Sequence, residues 1–287
     1  MLNRVDRMQL AVQDRSRAAE TFAKVLGAQT DRESTIEHLN ASRTVMRLGE
    51  SEVELLQSRG PGPVQAYLDR WGEGLFAAGY ATEHLDALDE RLRNRGVAFT
   101  READQLYLPG TSTFGFPMVI SRFVQRPRLG RVSFLYEATN ALNTDWKVVS
   151  ARYTDLFGLD ASRFCPINSG RFGYEGTLTL FDPPTRLDRI ELSQTFADKP
   201  SAMRRFVERR GGDALYMCYL ETHDFEGLKQ HMLAAGASLT PRGDDMASER
   251  DNMWVHPKSL HGMLLGVSRT GFAWDWSGRK DLIPALT

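Results

Sequence analysis

Gln9-Leu-Ala-Val-Gln-Asp14 has a related stretch later in the chain, Asn140-Ala-Leu-Asn-Thr-Asp145, which begins 131 positions after it. Each stretch is followed by a helical pattern of apolar residues that stops at a glycine, Gly27 in the first case and Gly158 in the second. A glycine at that place is typical of a helix C-terminus. A strand and a capped helix that recur at one offset indicate a fold built from repeated units.

Two further pairs of segments extend the repeat. Residues 53–57 (VELLQ) resemble residues 190–194 (IELSQ) at an offset of 137, and residues 82–96 resemble residues 222–236 at an offset of 140. Loop insertions between preserved elements produce offsets that grow by a few residues. We therefore predict two copies of one domain, residues 1–138 and 139–270, followed by a C-terminal tail of residues 271–287.

The composition predicts an ordinary globular protein. A chain of 287 residues, with 41% hydrophobic and 25% charged residues, is long enough for two domains that each bury a core. The formal net charge of −1 gives no reason to expect nucleic acid or an acidic membrane as a partner. The sequence shows no signal peptide and no membrane-spanning run, and its two cysteines form no CxxC pair. We therefore expect a cytoplasmic protein without a disulfide framework.

Within each copy the apolar pattern predicts a strand, a helix and further strands, twice over. In the first copy the last hairpin is predicted at residues 122–126 and 131–137, and residues 105–117 are predicted to be an exposed loop. The tail holds Phe272, Trp274 and Trp276, which could close a core or a dimer contact, or else cover an opening. The predicted fold class is α+β, with four βαβββ units.

These segments resemble the vicinal oxygen chelate superfamily, which includes glyoxalases, methylmalonyl-CoA epimerases, bleomycin-resistance proteins and extradiol dioxygenases. The resemblance is carried by residues 9–14 with their helix, by residues 53–57 and 72–75 (GEGL), and by residues 256–265 (HPKSLHGMLL). It covers most of the chain and implies two tandem glyoxalase-like domains, in each of which two units curve one sheet into a half-barrel around a cavity. The four-unit layout is also that of extradiol dioxygenases.

In this superfamily four inward side chains, from the first and last strands of each unit, can hold divalent iron, manganese or zinc. Carried over by position, the resemblance places them on Gln9, Glu54, Ala77 and Phe134 (or Tyr136) in the first copy, and on Asn140, Glu191, Met217 and Gly266 in the second. No histidine stands at these positions, so each copy keeps one carboxylate and one amide. We therefore assign no metal ligands and no cofactor, and a divalent iron, manganese or zinc ion in a degenerate site stays open as the alternative.

Glu54 and Glu191 are the candidate catalytic residues. Strand alternation turns their apolar neighbours toward the helices and leaves the two carboxylates facing the cavities. A carboxylate in a partly apolar cavity can act as an acid or a base near neutral pH, although a relic that only hydrogen-bonds neighbouring strands fits the pattern equally well. Gln9 and Asn140 occupy matching places and could orient a substrate oxygen or partner the nearby glutamate.

The remaining candidates for substrate binding are Ala77, Phe134, Met217, Tyr219 and His256. The small Ala77 predicts more room in the first cavity, whereas Met217 and Tyr219 would partly fill the second, and core packing alone would explain the same residues. His256 stands on a turn with a lysine and a second histidine, where it could meet an anionic substrate or simply be solvated.

These expectations lead to one main hypothesis and two alternatives. The main hypothesis is a small-molecule enzyme of the vicinal oxygen chelate type that acts on an aromatic or carbonyl-containing substrate by lyase or isomerase acid–base chemistry. The first alternative is a metal-free protein that binds a drug or metabolite, as bleomycin-resistance proteins do. The second is extradiol-type ring cleavage, which the missing ligands disfavour. A homodimer stays open, because two fused copies can form internally the pairing that single-domain relatives form between chains.

Overall fold

In the computed structural model, which describes residues 1–241 and 251–283, two eight-stranded sheets follow one another along the chain. The strands of the first sheet are β1 (Arg4–Ala11), β2 (Gln29–Ile36), β3 (Ala41–Leu48), β4 (Ser51–Ser58), β5 (Gly74–Thr82), β6 (Thr100–Glu102), β7 (Gln105–Leu108) and β8 (Met118–Arg122). Their order is β2-β3-β4-β1-β5-β8-β7-β6, with β1 parallel to β4 and antiparallel to β5. Strands β1–β4 and β5–β8 therefore form two units of the predicted type.

The second sheet repeats this arrangement. Its strands are β9 (Phe134–Leu142), β10 (Phe164–Ser169), β11 (Tyr174–Leu180), β12 (Arg189–Thr195), β13 (Ala214–Glu221), β14 (Leu239–Pro241), β15 (Asn252–Val255) and β16 (Leu265–Ser268). The order β10-β11-β12-β9-β13-β16-β15-β14 is that of the first sheet, with β9 in the place of β1. The predicted α+β fold, four units in two tandem curved-sheet domains, is thus confirmed.

Helices pack on both sides of the sheets. Those of the described ranges are α1 (Arg15–Leu26), α2 (Pro63–Trp71), α3 (Leu85–Asn94), α4 (Trp146–Phe157), α5 (Ala202–Arg210), α6 (Phe225–Ala234) and α7 (Thr270–Trp276). The repeated motif sets their ends, because Asp14 and Asp145 accept backbone hydrogen bonds at the starts of α1 and α4. Gly27 and Gly158 then end these two helices in the left-handed conformation. None of the helices described has the length and apolar character needed to cross a membrane.

One apolar core runs through both domains on the side of the sheets that α1, α3, α4 and α6 cover. Alternate residues of the central strands supply it, for example Val53 of β4 and Ile190 of β12. Strands β1 and β9 contact each other at the middle of the molecule. There the backbone N–H of Val5 donates to Asp188 Oδ1 at 2.7 Å. The intervening residues of the same strands face the concave sides, where the site candidates lie.

The end of the first copy differs from the prediction. Residues 122–126 and 131–137 do not form a hairpin, because the last strand in sequence of the first sheet is β8, which pairs with β5 and β7. Phe134 instead begins β9 of the second sheet, within the segment that the sequence analysis assigns to the first copy. Strand periodicity identifies a strand but does not identify the sheet that the strand joins.

Two other segments are corrected or resolved by the structure. The predicted exposed loop of residues 105–117 begins with the buried strand β7, so only its later part is a connection. The tail forms α7, which packs on the concave side of the second sheet. Trp274 is buried there in a cluster with Tyr136 and Met217. The aromatic tail therefore closes a core, and Trp276 also lines a cavity.

Candidate functional site

The register of the central strands defines equivalent positions in the two domains. Gln9 of β1 lies opposite Glu54 of β4, and Thr139 of β9 lies opposite Glu191 of β12. The two glutamates are therefore structural equivalents, as the sequence predicts. The place of Gln9, however, is taken by Thr139, one residue before Asn140.

Asn140 consequently points to the opposite side of the sheet from Glu191. Its Nδ2 donates to Tyr153 OH and to the backbone oxygen of Phe114, both at 3.2 Å. The prediction that Asn140 matches Gln9 is wrong, because the offset of 131 that holds at the helix cap falls by one within the strand. A shift of one residue turns a strand side chain to the other face.

In the first domain, ion pairs around Arg7 occupy the concave side of the sheet. The Arg7 guanidinium lies 2.7 Å from Glu54 Oε1 and 3.3 Å from Glu52 Oε2, and it also pairs with Asp6. Arg126 contacts two of these three partners, at 2.6 Å from Asp6 and 3.2 Å from Glu52. All five side chains are buried or nearly so. The network therefore neutralises its own carboxylates.

Glu54 is fixed as a carboxylate by this network. Gln9 Nε2 donates to its Oε2 at 2.8 Å, and Arg43 Nη1 lies 3.4 Å away. Burial alone would raise the pKa of Glu54, but the charges of Arg7 and Arg43 and the hydrogen bonds from Gln9 and Arg7 lower that pKa below its usual value. Glu54 therefore holds no proton to exchange near neutral pH.

The prediction of more room in the first domain is wrong. Gly79 does leave space, but Arg7 takes it: a Cβ added at Gly79 would lie 2.0 Å from Arg7 Cγ. Ala77 is 3% exposed. A separate apolar cluster that includes Leu56 and Tyr107 occupies more of the half-barrel. Small residues thus made space for a large buried neighbour rather than for a ligand.

A cavity of about 330 Å³ lies instead on the concave side of the second sheet. This volume is within the range of small-molecule sites. The aromatic residues in its wall are Phe172, Tyr174, Tyr216, Tyr219, Trp254 and Trp276. Met203, Met217 and Leu264 add apolar surface, and Glu191 is the one carboxyl among the described lining residues. The cavity therefore combines an aromatic wall with a single acidic group.

Glu191 is held close to a second carboxyl. Ser193 Oγ donates to Glu191 Oε1 at 2.6 Å, and Glu137 lies on the neighbouring strand β9. Burial raises the pKa of Glu191 well above its usual value, and the negative charge of Glu137 raises it further. The raised pKa favours the protonated form of Glu191. Glu191 is therefore the candidate for proton exchange in this cavity.

Arg189 holds Glu137 from the other side. Its Nε lies 2.6 Å from Glu137 Oε2, and both side chains are at most 1% exposed. Arg189 Nη1 also donates to Ser277 Oγ at 2.8 Å and to the backbone oxygen of Ala273 at 3.2 Å. One buried guanidinium thereby fastens the carboxyl pair to the C-terminal helix α7, which carries Trp276 into the cavity wall.

Tyr219 and Met217 shape the cavity rather than close it. A Cβ added at Gly266 would lie 2.0 Å from Tyr219 Cε1, so the glycine on β16 gives the tyrosine ring its place. Trp254 Nε1 donates to Tyr219 OH at 2.9 Å. Met217 stands at the position equivalent to Ala77 and lines the cavity.

Two predicted candidates lie away from this cavity. Phe134 packs against the Arg186 guanidinium, which is 4.2 Å from its ring centre. His256 is exposed, and its Nδ1 accepts a hydrogen bond from the backbone N–H of Lys258 at 3.2 Å. Neither residue is among those that line the cavity. The sequence analysis assigned both residues to the site from their predicted strand or turn positions. In the structure these positions lie elsewhere.

The residues at the superfamily's ligand positions do not fit a divalent cation. By the strand register, the inward-facing residues at these ligand positions are Gln9, Glu54, Ala77 and Val119 in the first sheet and Thr139, Glu191, Met217 and Gly266 in the second. Glu54 is already neutralised by guanidinium groups, and burial raises the pKa of Glu191, so neither set offers several anionic or imidazole donors. No cluster of three His, Cys, Asp or Glu side chains suited to a metal occurs within residues 1–241 and 251–283.

Sequence reasoning missed Glu137 and Arg189. At the equivalent positions of the first domain stand Arg7 and Glu52, an ion pair of opposite polarity. The sequence does contain this difference: Arg7 lies two residues before Gln9 on β1, and Glu137 lies two residues before Thr139 on β9. It becomes visible only when β1 and β9 are aligned at the offset that the register gives.

Comparison with known proteins gives a match for part of the sequence and for the whole fold. Residues 6–112 match the family model described as the Glyoxalase/Bleomycin resistance protein/Dioxygenase superfamily. No curated protein matches the sequence. A mutant of 4-hydroxymandelate synthase from Streptomyces coelicolor is similar over 93% of this chain and 92% of its own, with a TM-score of 0.70 and 13% identity.

Two other solved structures are similar to lesser extents. A xylose isomerase-like TIM barrel/4-hydroxyphenylpyruvate dioxygenase fusion protein matches over 93% of this chain and 48% of its own, with a TM-score of 0.63 and 12% identity. Methylmalonyl-CoA epimerase from Mycobacterium tuberculosis matches 49% of this chain and 89% of its own, with a TM-score of 0.40 and 21% identity. The two matches that span this chain show that its tandem fold is shared, and at such identities they show the fold alone.

Proposed function

We propose that this chain, whose residues 6–112 match the model of the Glyoxalase/Bleomycin resistance protein/Dioxygenase superfamily, is a tandem-domain enzyme of that superfamily that acts on a small molecule in the cavity of its second domain. The proposed substrate is aromatic or carbonyl-containing. The proposed chemistry is that of a lyase or isomerase in which Glu191 exchanges a proton with the substrate, while Met217 and Tyr219 contact it.

One observation carries this proposal: Glu191, a buried carboxyl whose pKa is raised, borders a cavity whose wall is mostly aromatic. Aromatic walls favour planar apolar ligands. A carboxyl whose pKa is raised can serve as acid in its protonated form and as base once the proton has left, and such proton transfer contributes about 10²–10⁴-fold to rate. Glu54 has no such capacity, because arginines hold it ionised. The first domain is therefore proposed to have a structural role.

The test uses acetophenone, which is aromatic and carries an exchangeable methyl group beside its carbonyl. In D₂O, the wild-type protein should accelerate deuterium incorporation at that methyl group, measured by proton NMR. Glu191→Gln should lower the protein-dependent rate about 10²-fold or more, because the amide cannot exchange a proton. Glu175→Gln is the matched control, since Glu175 is exposed on β11 of the same sheet. The control should keep the wild-type rate.

A metal-free binding protein is the second candidate, and the aromatic wall favours it as well. In that case acetophenone should bind, seen as chemical-shift changes, without accelerated exchange. Glu191→Gln should then leave its affinity within a few-fold of wild type. Equal exchange rates in wild type and Glu191→Gln would contradict the enzymatic proposal.

A further inference from the structure

Another cavity, of about 240 Å³, lies where the two domains meet, and we call it the junction groove. Its lining includes Tyr67, Arg70, Trp71, Phe76, Arg210 and Leu215. Helix α2 and strand β5 of the first domain supply the first four, and α5 and β13 of the second domain supply the last two. The groove and the second-domain cavity have no described lining residue in common. A ligand in the groove therefore contacts both domains and leaves the site proposed above unoccupied.

Arg210, the last residue of α5, is held in the groove by aromatic rings. Its guanidinium carbon lies 4.5 Å from the ring centre of Trp71, 5.3 Å from that of Tyr67 and 5.2 Å from that of Phe206. Arg210 Nη2 also donates to Tyr67 OH at 3.0 Å, and Tyr67 OH donates to the backbone oxygen of Leu75 at 2.8 Å. Cation–π contacts and a hydrogen bond therefore order the guanidinium before a ligand binds.

This ordered guanidinium has no anionic partner. In the described ranges neither Arg210 nor Arg70 forms an ion pair, and the Arg210 side chain makes its one hydrogen bond to Tyr67. The unused N–H groups of Arg210 are not buried. A guanidinium carries five donors in a planar fork that matches a carboxylate. Arg210 can therefore bind a carboxylate without giving up a contact within the protein.

The charges of the groove favour an anion. Arg70 supplies a second guanidinium, 4.5 Å from the Trp71 ring centre, and Asp213 is the one carboxylate among the described lining residues. Asp213 Oδ1 accepts the backbone N–H groups of Asn143 at 2.6 Å and Thr144 at 3.0 Å. The lining thus has two positive charges and one negative charge, and the negative one is already hydrogen-bonded within its own domain.

Other acids close to the groove residues in sequence have partners of their own. Asp69, Glu73 and Glu208 bind the side chains of Gln65, His261 and Arg204, at 2.7, 2.7 and 2.8 Å respectively. None of the three pairs with Arg70 or Arg210. The two guanidinium groups of the groove therefore stay available to an anion from solution.

The rest of the groove is apolar. Phe76, Pro117 and Leu215 line it together with the rings of Tyr67 and Trp71. Aromatic and apolar walls favour a planar ring as the ligand. A volume of about 240 Å³ is smaller than that of a typical drug-sized site and suits a single ring.

We infer that the junction groove is a second binding site, which takes a one-ring aromatic carboxylate. The carboxylate of the ligand binds Arg210 and Arg70, and its ring packs on Trp71. This inference does not depend on the proposed function, because the groove lies outside the second-domain cavity. Since α2 and α5 belong to different domains, a bound ligand also links the domains.

The experiment measures the binding of phenylacetate, 2-phenylethanol and acetate to the full chain by calorimetry at pH 7. Phenylacetate should bind about ten-fold or more tightly than either of the others, because it alone carries both the ring and the charge. Arg210→Gln should lower the phenylacetate affinity about ten-fold or more. Arg209→Gln is the matched control, since Arg209 is the neighbouring residue, is exposed and does not line the groove. The control should stay within about two-fold of wild type.

A second variant keeps the experiment decisive if Arg210→Gln does not fold. Arg70 is exposed, so Arg70→Gln should fold, and it should lower the phenylacetate affinity about three-fold. An affinity unchanged in both groove variants would mean that phenylacetate binds elsewhere and would overturn the inference. Equal losses in Arg209→Gln and Arg210→Gln, equal binding of phenylacetate and 2-phenylethanol, or no binding of phenylacetate would also overturn it. Exchange of acetophenone is measured separately, so its failure rejects the proposed enzymatic function and leaves this inference intact.

Discussion

At the scale of single residues, two glutamates at equivalent positions have opposite acid–base properties. Glu54 lies between arginines and has a lowered pKa, whereas Glu191 lies beside Glu137 and has a raised one. The difference comes from one position on the central strand of each sheet, two residues before Gln9 on β1 and two residues before Thr139 on β9. This position holds Arg7 in the first sheet and Glu137 in the second. One charge reversal thus separates a carboxylate with a lowered pKa from a carboxyl with a raised pKa.

The stability of the two glutamine variants should depend on pH in opposite directions. The unfolded chain releases the Glu191 proton near pH 4.3, but the folded chain retains it to higher pH, so this contribution to wild-type stability is lost as the pH rises. The free energy of unfolding of Glu191→Gln, relative to wild type, should therefore increase between pH 5 and pH 8, at about 1.4 kcal/mol per pH unit while the proton is retained.

Glu54→Gln should show the reverse. The lowered pKa of Glu54 stabilises the fold above the unfolded pKa and loses that effect as the pH falls. The variant should be about 3 kcal/mol less stable than wild type at pH 7, because it leaves buried guanidinium charge unpaired. Urea unfolding across the pH range measures both variants. A pH-independent difference from wild type in both would contradict these assignments.

At the scale of elements, the cavity depends on how β13 packs on β16. Tyr219 of β13 lies over Gly266 of β16 and receives a hydrogen bond from Trp254 of β15. In the first sheet the corresponding ring is missing, and Arg7 lies over Gly79 of β5 instead. The same fold therefore supports an aromatic wall in one domain and a buried ion pair in the other.

Gly266→Ala should test this packing. Gly266 does not have a positive φ, so the alanine meets the Tyr219 ring rather than a backbone restriction. The ring has to move, which should cost about 1–3 kcal/mol of unfolding free energy and weaken ligand binding in the cavity. The double variant Gly266→Ala/Tyr219→Ala removes the clash. A stability coupling near zero in this double-mutant cycle would show that the two side chains do not compete for space.

At the scale of the whole molecule, the two domains meet through a pair of matching close contacts. Gly115, before β8, would place a Cβ 1.7 Å from the backbone oxygen of Asp213, and Gly262, before β16, would place one 2.1 Å from that of Glu73. Each contact joins a turn of one domain to the residue before the corresponding strand of the other. The internal repeat thus produces a self-complementary contact of the kind that symmetric dimers use.

Gly115→Ala should destabilise the protein more than Gly130→Ala. Both glycines have a left-handed conformation, with φ of +67° and +69°, but a Cβ at Gly130 would meet nothing within 4 Å. Gly130→Ala should therefore lower the free energy of unfolding by about 1 kcal/mol, because alanine disfavours the left-handed conformation. Gly115→Ala adds a clash with the backbone of Asp213 and should lower it by roughly 3 kcal/mol. Thermal unfolding of both variants measures the difference. Equal losses would contradict the close contact.

Much of the fold could be predicted from the sequence. The repeated cap residues Asp14 and Asp145, each with its glycine stop, identified the units, and strand alternation correctly assigned which face Glu54 and Glu191 occupy. Such signals are local, because capping and alternation involve residues close together in the chain. The chain by itself therefore determined four units in two tandem copies and the two glutamates at the centres of those copies.

Only the tertiary structure decided which copy holds a cavity. Whether Gly79 leaves room depends on Arg7 lying over it, and whether Glu191 keeps a proton depends on Glu137 in the next strand. Identifying the residue equivalent to Gln9 also required the strand register, because a one-residue change of offset turns Asn140 to the other face of the sheet. Side-chain volume and pKa are set by neighbours distant in sequence. Packing and electrostatics between strands, rather than the local pattern, therefore separated the face with a cavity from the filled one.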